Sequence, residues 1–431
     1  MNSRLPLEAS HKAQFKCAFC KSSQLTEVLD LGEVALAGGF LKSSQFDAEP
    51  KFPLRVAFCN ECLAVQVIDI IDPKMMFGDY FYFSSQIKTL RDHFEDYATE
   101  VVSRFLNPKN STVLEFGCND GVLLRPLAGQ GIKTLIGVDP ASNIISTIND
   151  SRINVINDFF TEETSRRVVE KFGKLNMVVA NNVFAHIPDI CGVTRAVRDA
   201  LADDGVFIFE VHYLGKIIQG MQYDMIYHEH LYYYSLLALE KHFQKHDMVV
   251  FDVKPIPIHG GSMRYYVSKK CSVHAKNSST RVELLRKEEL SIGYDKPETY
   301  KDFARRVQLT RKRLTDVLES LRKKGRTIAG YGASGRANTI IQYCNIDKNY
   351  VSYMIDDAPA KKGFFTPGSH LEIFSNEILI TSPPDYLLIF AWSFINEIAA
   401  KCENYMNDGG KLLIPLPEVR IMMTPYSQDI L

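Results

Sequence analysis

The chain has 431 residues, of which 46% are hydrophobic and 23% are charged, and its formal net charge is −1. This length predicts roughly two or three domains. The near-zero charge gives no global electrostatic reason to expect nucleic acid or an anionic membrane as a partner. The sequence has no apolar run long enough to span a bilayer, and its first residues lack the apolar segment of a signal peptide. We therefore expect a cytoplasmic protein that has neither a membrane nor a nucleic acid as its partner.

Residues 1–75 contain two Cys-x-x-Cys pairs, each on a tight turn. The pairs are Cys17 with Cys20 and Cys59 with Cys62, and two such turns facing each other would offer four thiolates in a tetrahedral array for zinc. Because all four ligands would come from the protein, we predict a structural zinc ion with no position left for water. Two disulfides or unpaired surface thiols are the alternative. The remaining cysteines are scattered, which suits a reducing compartment.

From residue 76 to 250 the pattern alternates apolar strands with helices, which predicts a doubly wound α/β domain with a mostly parallel sheet. Ligands of such sheets collect beyond the carboxyl ends of the strands. The expected strands are Val113–Glu115, Leu135–Val138, Asn154–Ile156, Met177–Ala180 and Val206–Glu210. The expected helices between them include Thr161–Lys171 and Val193–Leu201.

The first of these strands leads into the pattern Glu-x-Gly-x-x-x-Gly, from Glu115 to Gly121, and the second strand ends at Asp139. This is the form of nucleotide-type α/β half that S-adenosylmethionine-dependent methyltransferases use. The glycines would let the backbone approach the methionine part of the cofactor, and Asp139 would accept both ribose hydroxyls. Asp158 would accept from the adenine amino group, and Phe159 would either stack on that ring or pack in the core. A generic strand-to-helix turn is the alternative. The predicted cofactor contacts are Glu115, Gly117, Asn119, Gly121, Asp139, Asp158, Phe159 and Asn181.

A dense polar cluster follows the last core strand, where the methyltransferase topology places residues over the mouth of the cofactor site. It comprises Tyr227, His228, Glu229 and His230, and His186 follows the fourth strand, where substrate-facing residues are expected. Histidines, a carboxylate and tyrosines suit the methylation of carbon. Carbon must first lose a proton beside a carbonyl, while hydrogen-bond donors hold the enolate oxygen. The alternatives are a surface loop with chance histidines and a metal site built on His228 and His230.

Three other segments are candidate ligand contacts. The turn from His259 to Arg264 could offer backbone N–H groups and a guanidinium to a phosphate. The small-residue loop 36–40 in the N-terminal module could also touch a ligand. The segment Tyr80–Ser85 is rich in aromatic rings and hydroxyls, and it is either core or the wall of a ligand site.

A second α/β unit begins near residue 326, after a short β-rich segment and a charged helical stretch. Its Gly-x-Gly-x-x-Gly turn comprises Gly330, Gly332 and Gly335, and Asp356 follows roughly twenty residues later, as in dinucleotide sites. That motif alone would favour an NAD-dependent nucleotide-sugar oxidoreductase. This function would leave the first glycine turn and the cysteine pairs without a role. A zinc-ribbon module that recruits a partner or nucleic acid is disfavoured, because it predicts a basic face and the N-terminal lysines are dispersed among acids.

Taken together, these motifs resemble, nearly end to end, the S-adenosylmethionine-dependent sugar C-methyltransferases of branched-chain deoxysugar biosynthesis. The motifs that carry the resemblance are the four N-terminal cysteines, Tyr-x-Tyr-x-Ser-Ser at 80–85, LEFGCNDG at 114–121, NNVFAHIPD at 181–189, Glu210 with Tyr213-Leu214-Gly215, Tyr227-x-Glu229-His230, HGGSMR at 259–264, GYGASGRANT at 330–339, Asp356-Asp357 and FTPG at 365–368. The resemblance implies a zinc-binding module (1–75), a Rossmann-like S-adenosylmethionine methyltransferase domain (76–250) and a second Rossmann-like domain (251–431). It also implies that the substrate is a nucleotide-linked 4-keto sugar, methylated on the carbon beside the ketone.

Carried over by motif, the resemblance also implies roles for individual residues. His230 becomes the general base, and Tyr227 and Glu229 position the base or the sugar. His186 contacts the ketone or stabilises its enolate. Tyr82, rather than Tyr80, is the expected tyrosine of the aromatic segment.

Two points qualify this assignment. The C-terminal Gly-x-Gly-x-x-Gly turn then implies no NAD, but a structural domain whose turn faces the nucleotide sugar. His228 departs from the expected pattern, since a more ordinary polar residue should precede Glu229 and His230. It would either share the role of base or change the pKa of His230 by like-charge coupling.

Overall fold

The computed structural model describes residues 11–77, 83–424 and 429–430, and every count of strands or helices below refers to those residues. The N-terminal part consists of antiparallel strands that carry the cysteine pairs at their turns. These strands are β1 (His11–Ala13), β2 (Leu25–Ala35), β3 (Lys51–Cys59), β4 (Val65–Val67) and β5 (Asp69–Ile71). β2, β3 and β4 are neighbours in one sheet, and β1 pairs separately with β5. The later strand Tyr232–Tyr233 extends the first sheet beside β4, which ties this module to the next domain.

The middle of the chain forms a seven-stranded, mostly parallel sheet, as predicted. The strands of this region are β6 (Thr112–Phe116), β7 (Thr134–Val138), β8 (Ile153–Ile156), β9 (Leu175–Asn181), β10 (Leu201–His212), β11 (Tyr232–Tyr233), β12 (Met248–Ile256) and β13 (Ser262–Lys269). The order is β12-β13-β10-β9-β6-β7-β8, and β11 belongs to the N-terminal sheet. The pairs among β6 to β10 are parallel, whereas β13 is antiparallel to both β10 and β12.

Both faces of this sheet are buried, which explains why its strands read as continuous apolar runs. Val113 and Leu135 belong to one buried cluster, and the next residues along the strands, Leu114 and Ile136, belong to another. The helices around the sheet are α1 (Pro73–Phe77), α2 (Lys88–Phe105), α3 (Leu124–Gly129), α4 (Ser142–Ile145), α5 (Glu162–Phe172), α6 (Ile190–Ala200), α7 (Leu214–Gln219) and α8 (Leu236–Gln244).

The sheet extends beyond the boundary that the sequence suggests between residues 250 and 251. That boundary falls inside β12, which forms a hairpin with β13 at the edge of the same sheet. The short β-rich segment after residue 251 therefore completes the first α/β sheet. The antiparallel hairpin lacks a connecting helix, and for that reason its strands do not follow the β-α alternation used for the prediction.

The C-terminal part is a second α/β unit, as the sequence predicts. It is preceded by α9 (Val273–Lys276), α10 (Thr280–Ile292) and the long α11 (Pro297–Lys323). Its sheet has the order β16-β15-β14-β17-β18-β19-β20. The strands are β14 (Ile328–Tyr331), β15 (Met354–Ile355), β16 (Ile373–Phe374), β17 (Tyr386–Ile389), β18 (Lys411–Ile414), β19 (Arg420–Met422) and β20 (Asp429–Ile430). The helices are α12 (Gly335–Tyr343), α13 (Ile378–Thr381), α14 (Ile395–Lys401) and α15 (Glu403–Asn407).

Helix α12 joins the three parts of the chain. It packs against β2 and against the turn Tyr223–Met225 that precedes the polar cluster. At its C-terminal end, Gln342 accepts a hydrogen bond from the N–H of Ala35 at 2.6 Å and donates to the carbonyl of the same residue at 3.2 Å. Within the described residues, every helix falls short of the length and apolarity that crossing a bilayer would need.

Candidate functional site

The glycine turn after β6 has backbone angles that glycine and asparagine adopt more easily than other residues. Gly117 and Gly121 have φ values of 64° and 78°, in the left-handed region that favours glycine. A Cβ built on Gly117 would lie 2.6 Å from the side chain of Val183, so the turn also has no room for a larger residue. Asn119, with φ 49°, is the residue type besides glycine that tolerates this region best.

Asp139 follows β7 and lies against this turn, as the sequence predicts. One carboxylate oxygen accepts a hydrogen bond from the backbone N–H of Asn119, and the other accepts from that of Ala141, each at 2.9 Å. Ionised carboxylate oxygens accept more than one hydrogen bond each, so both oxygens keep capacity for hydroxyl donors. The turn and the carboxylate are thus held together before any ligand arrives.

Several buried acceptors beside the turn lack a hydrogen-bond partner among the described residues. Asn181 donates to one oxygen of Glu115 at 3.0 Å, while the other Glu115 oxygen and the Asn181 carbonyl oxygen stay unpaired. One side-chain oxygen of Asp120 and one of Asn182 are also buried without a hydrogen-bond partner among the described residues. Burial raises the pKa of Glu115 to about 8, and the carboxylates of Asp139 and Asp120 add to this effect. Because buried polar groups are normally satisfied, this set fits a ligand that brings N–H donors, such as the ammonium group of S-adenosylmethionine.

Asp158 and Phe159 lie in the loop after β8, beyond the strand end. The Asp158 carboxylate accepts from the N–H of Phe159 at 2.9 Å and from the hydroxyl of Thr164 at 3.2 Å, and it also pairs with Arg167. The Phe159 side chain is not core, since the residue is 38% exposed. Its ring therefore has a face open to a stacking partner.

The polar cluster centres on His230, which is buried. Its Nδ1 lies 2.7 Å from the carbonyl oxygen of Met225. A carbonyl can only accept, so Nδ1 carries the hydrogen and Nε2 presents a lone pair. Burial lowers the pKa of His230 to about 4, with the positive charge of Arg336 and the His259 ring adding to this effect. At neutral pH the imidazole is uncharged and able to accept a proton.

Other rings surround His230. The Tyr227 ring lies 4.0 Å from it, and the rings of His186 and His212 lie 5.0 and 5.3 Å away, between centroids. His259 lies 5.6 Å from His212 and so extends the group. Burial lowers the pKa of His186 and of His212 well below the usual range. The structure therefore assembles a group of neutral imidazoles.

His212 is a member of this group that the sequence analysis missed. The sequence feature that indicates it is its position two residues beyond Glu210. His212 is the last residue of β10, where the carboxyl ends of the parallel strands meet. Its Nε2 is buried and has no partner among the described residues. His259 was noted only as a neighbour of glycines, and its φ of 54° is unusual for a histidine.

Glu229 and Tyr227 face the junction of the three parts. The Glu229 carboxylate accepts a hydrogen bond from the N–H of Gly38, in the small-residue loop of the N-terminal module. A Cβ on Gly38 would lie 3.0 Å from that carboxylate. Burial raises the pKa of Glu229 to about 7. A Cβ on Gly335, in the C-terminal glycine turn, would lie 3.9 Å from the Tyr227 ring.

One sequence-predicted candidate, His228, is not in this group. His228 points away into the N-terminal module, where its Nε2 donates to the carbonyl of Pro53 at 2.9 Å and its ring lies edge-on to Phe52. Tyr82, like Tyr80, lies outside the described residues.

Arg264 is not available to bind a phosphate, contrary to the expectation from its glycine turn. The residue is 1% exposed, and its guanidinium donates to Glu210 at 2.6 Å and to Glu100 at 3.0 Å. It also lies 3.4 Å above the ring of Tyr97. Glu210 pairs in addition with His93 at 2.8 Å. Arg264 is therefore a buried ion-pair residue that joins β13, β10 and α2, a contact that the local glycine motif does not reveal.

The C-terminal glycine turn borders the polar cluster, and its acids are already engaged. Asp356 pairs with Lys361 at 3.1 Å, and Asp357 accepts from the Tyr331 hydroxyl at 2.9 Å and from Lys401 at 2.9 Å. Both carboxylates therefore have lysine partners within the C-terminal domain. Arg336, just after the turn, instead reaches back to the buried Asp224 at 2.9 Å.

The four N-terminal cysteines converge as the sequence predicts. Their sulfur atoms all lie within 4.8 Å of one another, with Cys17 and Cys62 at 3.4 Å and Cys20 and Cys59 at 3.5 Å. All four are free thiols, which removes the alternative of two disulfides. Four converging sulfurs fit a tetrahedral zinc ion.

Comparison with known proteins covers most of the chain. Residues 17–77 match the family model of a zinc binding domain, residues 90–252 that of a methyltransferase domain, and residues 257–417 that of a C-methyltransferase C-terminal domain. C-methyltransferase NovU of Streptomyces niveus is 32% identical over 409 residues, which are 94% of this chain and 96% of that protein. A ubiquinone biosynthesis O-methyltransferase of Xanthomonas axonopodis is 26% identical over 107 residues, which are 25% of this chain and 45% of that protein.

Solved methyltransferase structures also align with part of the chain. A S-adenosylmethionine-dependent methyltransferase from Clostridium acetobutylicum has a TM-score of 0.31 at 13% identity, over 43% of this chain and 93% of that one. Magnesium protoporphyrin IX methyltransferase from Synechocystis with bound SAH has a TM-score of 0.33 at 14% identity, over 46% and 91%. TM-scores this low do not support an inference about this chain. The sequence match to NovU, in contrast, spans nearly all of both proteins. The chain belongs to the C-methyltransferase family, and it is an S-adenosylmethionine-dependent C-methyltransferase with an N-terminal zinc-binding domain.

Proposed function

We propose that this enzyme methylates the carbon beside the ketone of a nucleotide-linked 4-keto deoxysugar, after His230 has removed a proton from that carbon. The observation that carries the proposal is the state of His230, a buried neutral imidazole whose Nδ1–H is fixed on the carbonyl of Met225. Its Nε2 lone pair is thereby left to accept a proton. Methylation of an oxygen needs at most one base for the hydroxyl proton, whereas methylation of carbon needs both a base and hydrogen-bond donors that hold the enolate oxygen.

The proton to be removed is acidic only because a ketone lies next to it. Removing it places negative charge on the ketone oxygen, which hydrogen-bond donors must stabilise. His186 and Tyr227 lie beside His230 and are the proposed donors, since a neutral imidazole has one N–H and tyrosine has a hydroxyl. As His230 becomes an imidazolium ion, it forms an ion pair with the enolate that it has created.

Glu229 is proposed to position the sugar or the base. Its pKa of about 7 means that the carboxyl can either donate or accept a hydrogen bond near neutral pH. Its bond to Gly38 fixes the side chain from the N-terminal module, so that module would shape the site as well as bind zinc. Tyr82 remains a prediction from the sequence for the same substrate wall.

The cofactor residues are proposed from the acceptors around the first glycine turn. S-adenosylmethionine, when bound, supplies a methyl group attached to a positive sulfur. Glu115 and Asn181 would hold its ammonium group, because one buried oxygen of each lacks a donor among the described residues. The turn from Gly117 through Asn119 to Gly121 would lie along the methionine part. Asp139 would accept from the ribose, and Asp158 and Phe159 would contact the adenine.

The nucleotide part of the substrate is proposed to lie towards the C-terminal domain. Gly335 approaches Tyr227, so the C-terminal turn faces the same group of rings as the methylation chemistry. A substrate with a nucleotide at one end and a ketone at the other would span the distance between the turn and His230.

The test is incubation of the full chain with methyl-labelled cofactor and a panel of nucleotide-linked 4-keto sugars. The matched 4-hydroxy sugars serve as controls, because they lack the ketone that makes the neighbouring proton acidic. We expect labelled product only from the keto sugars, with NMR placing the new methyl on the carbon beside the ketone. Transfer to an oxygen, or equal transfer to the 4-hydroxy controls, would contradict the proposal.

A further inference from the structure

A second group of metal-binding side chains lies apart from the four N-terminal cysteines and from the proposed methylation site. It comprises Cys191, His242 and His246, whose ligand atoms all lie within 4.8 Å of one another and which are all buried. Cys191 is on α6. His242 is on the last turn of α8, and His246 lies just beyond it, with the two ring centroids 4.8 Å apart.

The hydrogen bonds of His242 define which of its nitrogens carries hydrogen. The hydroxyl of Thr194 donates to the carbonyl of Ile190 at 2.8 Å, so its oxygen can only accept from Nε2 of His242, also at 2.8 Å. Nε2 therefore carries the hydrogen, and Nδ1 is left with a lone pair. His242 is 1% exposed, and this Nδ1 has no partner among the described residues.

An unpaired acceptor at this depth is costly. A metal-bound histidine shows the pattern seen at His242, since its second nitrogen donates to a neighbouring oxygen while the first faces the metal. One ring nitrogen of His242 belongs to the same close set of atoms as the sulfur of Cys191. Burial raises the pKa of the Cys191 thiol, and the nearby charges of Lys21, Arg195 and Lys245 offset only part of that rise, so the sulfur would lose its proton when a metal ion binds it.

We propose that Cys191, His242 and His246 bind a second zinc ion. One thiolate and two imidazoles are donors that zinc accepts, and three protein ligands leave a fourth position for water or a carbonyl. Binding would release the thiol proton of Cys191 to solvent. The sulfur lies 3.4 Å from the carbonyl oxygen of Ala18 and 3.5 Å from that of Phe19, the two residues between the first pair of cysteines.

This position suggests what the second ion would do. The Phe19 ring packs edge-on to the His242 ring at 5.0 Å, so the first cysteine turn rests directly on the proposed site. Metal bound there would hold α6 and α8 together beneath the N-terminal zinc-binding domain. We therefore infer a structural role, in which the second ion fixes the docking of that domain on the methyltransferase sheet.

The experiment is metal analysis of the full chain after equilibration with enough zinc to saturate the four-cysteine site. We expect two zinc ions per chain in the wild type, and one in both Cys191→Ser and His242→Ala. Cys402→Ser, which alters another buried cysteine in the C-terminal domain, should keep two. Should a site variant fail to fold, the cobalt-substituted wild type gives the answer, because a one-thiolate site and a four-thiolate site give different absorption spectra.

One zinc per chain in the wild type, or a single four-thiolate cobalt spectrum, would overturn the proposal. So would a second zinc ion that persists in both site variants. None of these measurements uses substrate or methyl donor, so their outcome is independent of the proposed reaction.

Discussion

Glu115 should make cofactor binding depend on pH, and Glu115→Gln should remove that dependence. The carboxyl is 2% exposed, accepts only from Asn181 among the described residues, and has a pKa raised to about 8 by burial and by neighbouring carboxylates. Below that pH it is therefore protonated in the free enzyme. A bound ammonium group favours the ionised form, so binding at neutral pH must release a proton.

The direction and size of the pH effect on cofactor affinity follow from the coupling between cofactor binding and proton release. A group that loses its proton on binding makes affinity rise with pH, up to its pKa in the free protein. Each pH unit below about 8 costs up to tenfold in affinity, or about 1.36 kcal/mol. Between roughly pH 6.5 and 7.5, wild-type affinity should therefore rise about tenfold and then level off near pH 8. Glutamine carries no proton to lose, so the variant should show no such rise.

Isothermal titration with S-adenosylhomocysteine, which carries the same amino-acid end, is the direct assay. Titrations in two buffers of different ionisation enthalpy count the protons released, which should be close to one for the wild type near neutral pH and close to zero for Glu115→Gln. The ligand's own amine titrates identically with both proteins and cancels in the comparison. A wild-type affinity that is flat over this range with no proton release would refute the reasoning, as would a variant that behaves like the wild type.

Three further predictions concern binding and stability. Asp139→Ala should weaken cofactor binding by roughly 2 kcal/mol, the range for hydrogen bonds to a charged group; an unchanged affinity by the same titration would place the ribose acceptor elsewhere. Cys17→Ser should lose the structural zinc ion and solubility before it alters chemistry; unchanged zinc content by elemental analysis would rule this out. Arg264→Met should cost about 3–5 kcal/mol in denaturant unfolding, because it leaves the buried Glu210 charge without its guanidinium partner. Adding Glu210→Gln should recover part of that loss, and strictly additive losses would show that the pair is not coupled.

Two local arrangements of side chains follow from short sequence motifs. The turn at Gly117 and the carboxylate of Asp139 lie together because parallel strands bring their carboxyl ends to one edge of the sheet. The two cysteine pairs meet because each lies on its own tight turn. In both cases a short motif determines the local backbone conformation, and the order of the surrounding strands places that motif in the fold.

Features that depend on long-range packing were not predictable in the same way. The turn that contains two glycines and ends at Arg264 suggests a phosphate ligand. The actual partners of Arg264, Glu210 and Glu100, are distant in sequence. His228 and His230 are two apart, yet one faces Pro53 and the other faces the ring of Tyr227. Extended-strand geometry would place them on the same side, whereas a turn separates them here.

Deuterium exchange tests the central claim, that His230 is the base, most directly. In deuterated water without cofactor, the wild-type enzyme should exchange deuterium into the carbon beside the ketone of a nucleotide-linked 4-keto sugar. His230→Ala should lose this exchange, and its turnover should fall by about 10²–10⁴-fold with cofactor binding intact. His228→Ala is the matched control and should still exchange, since His228 is engaged with Pro53. Exchange that persists in His230→Ala at the wild-type rate, or that is lost only in His228→Ala, would contradict the account.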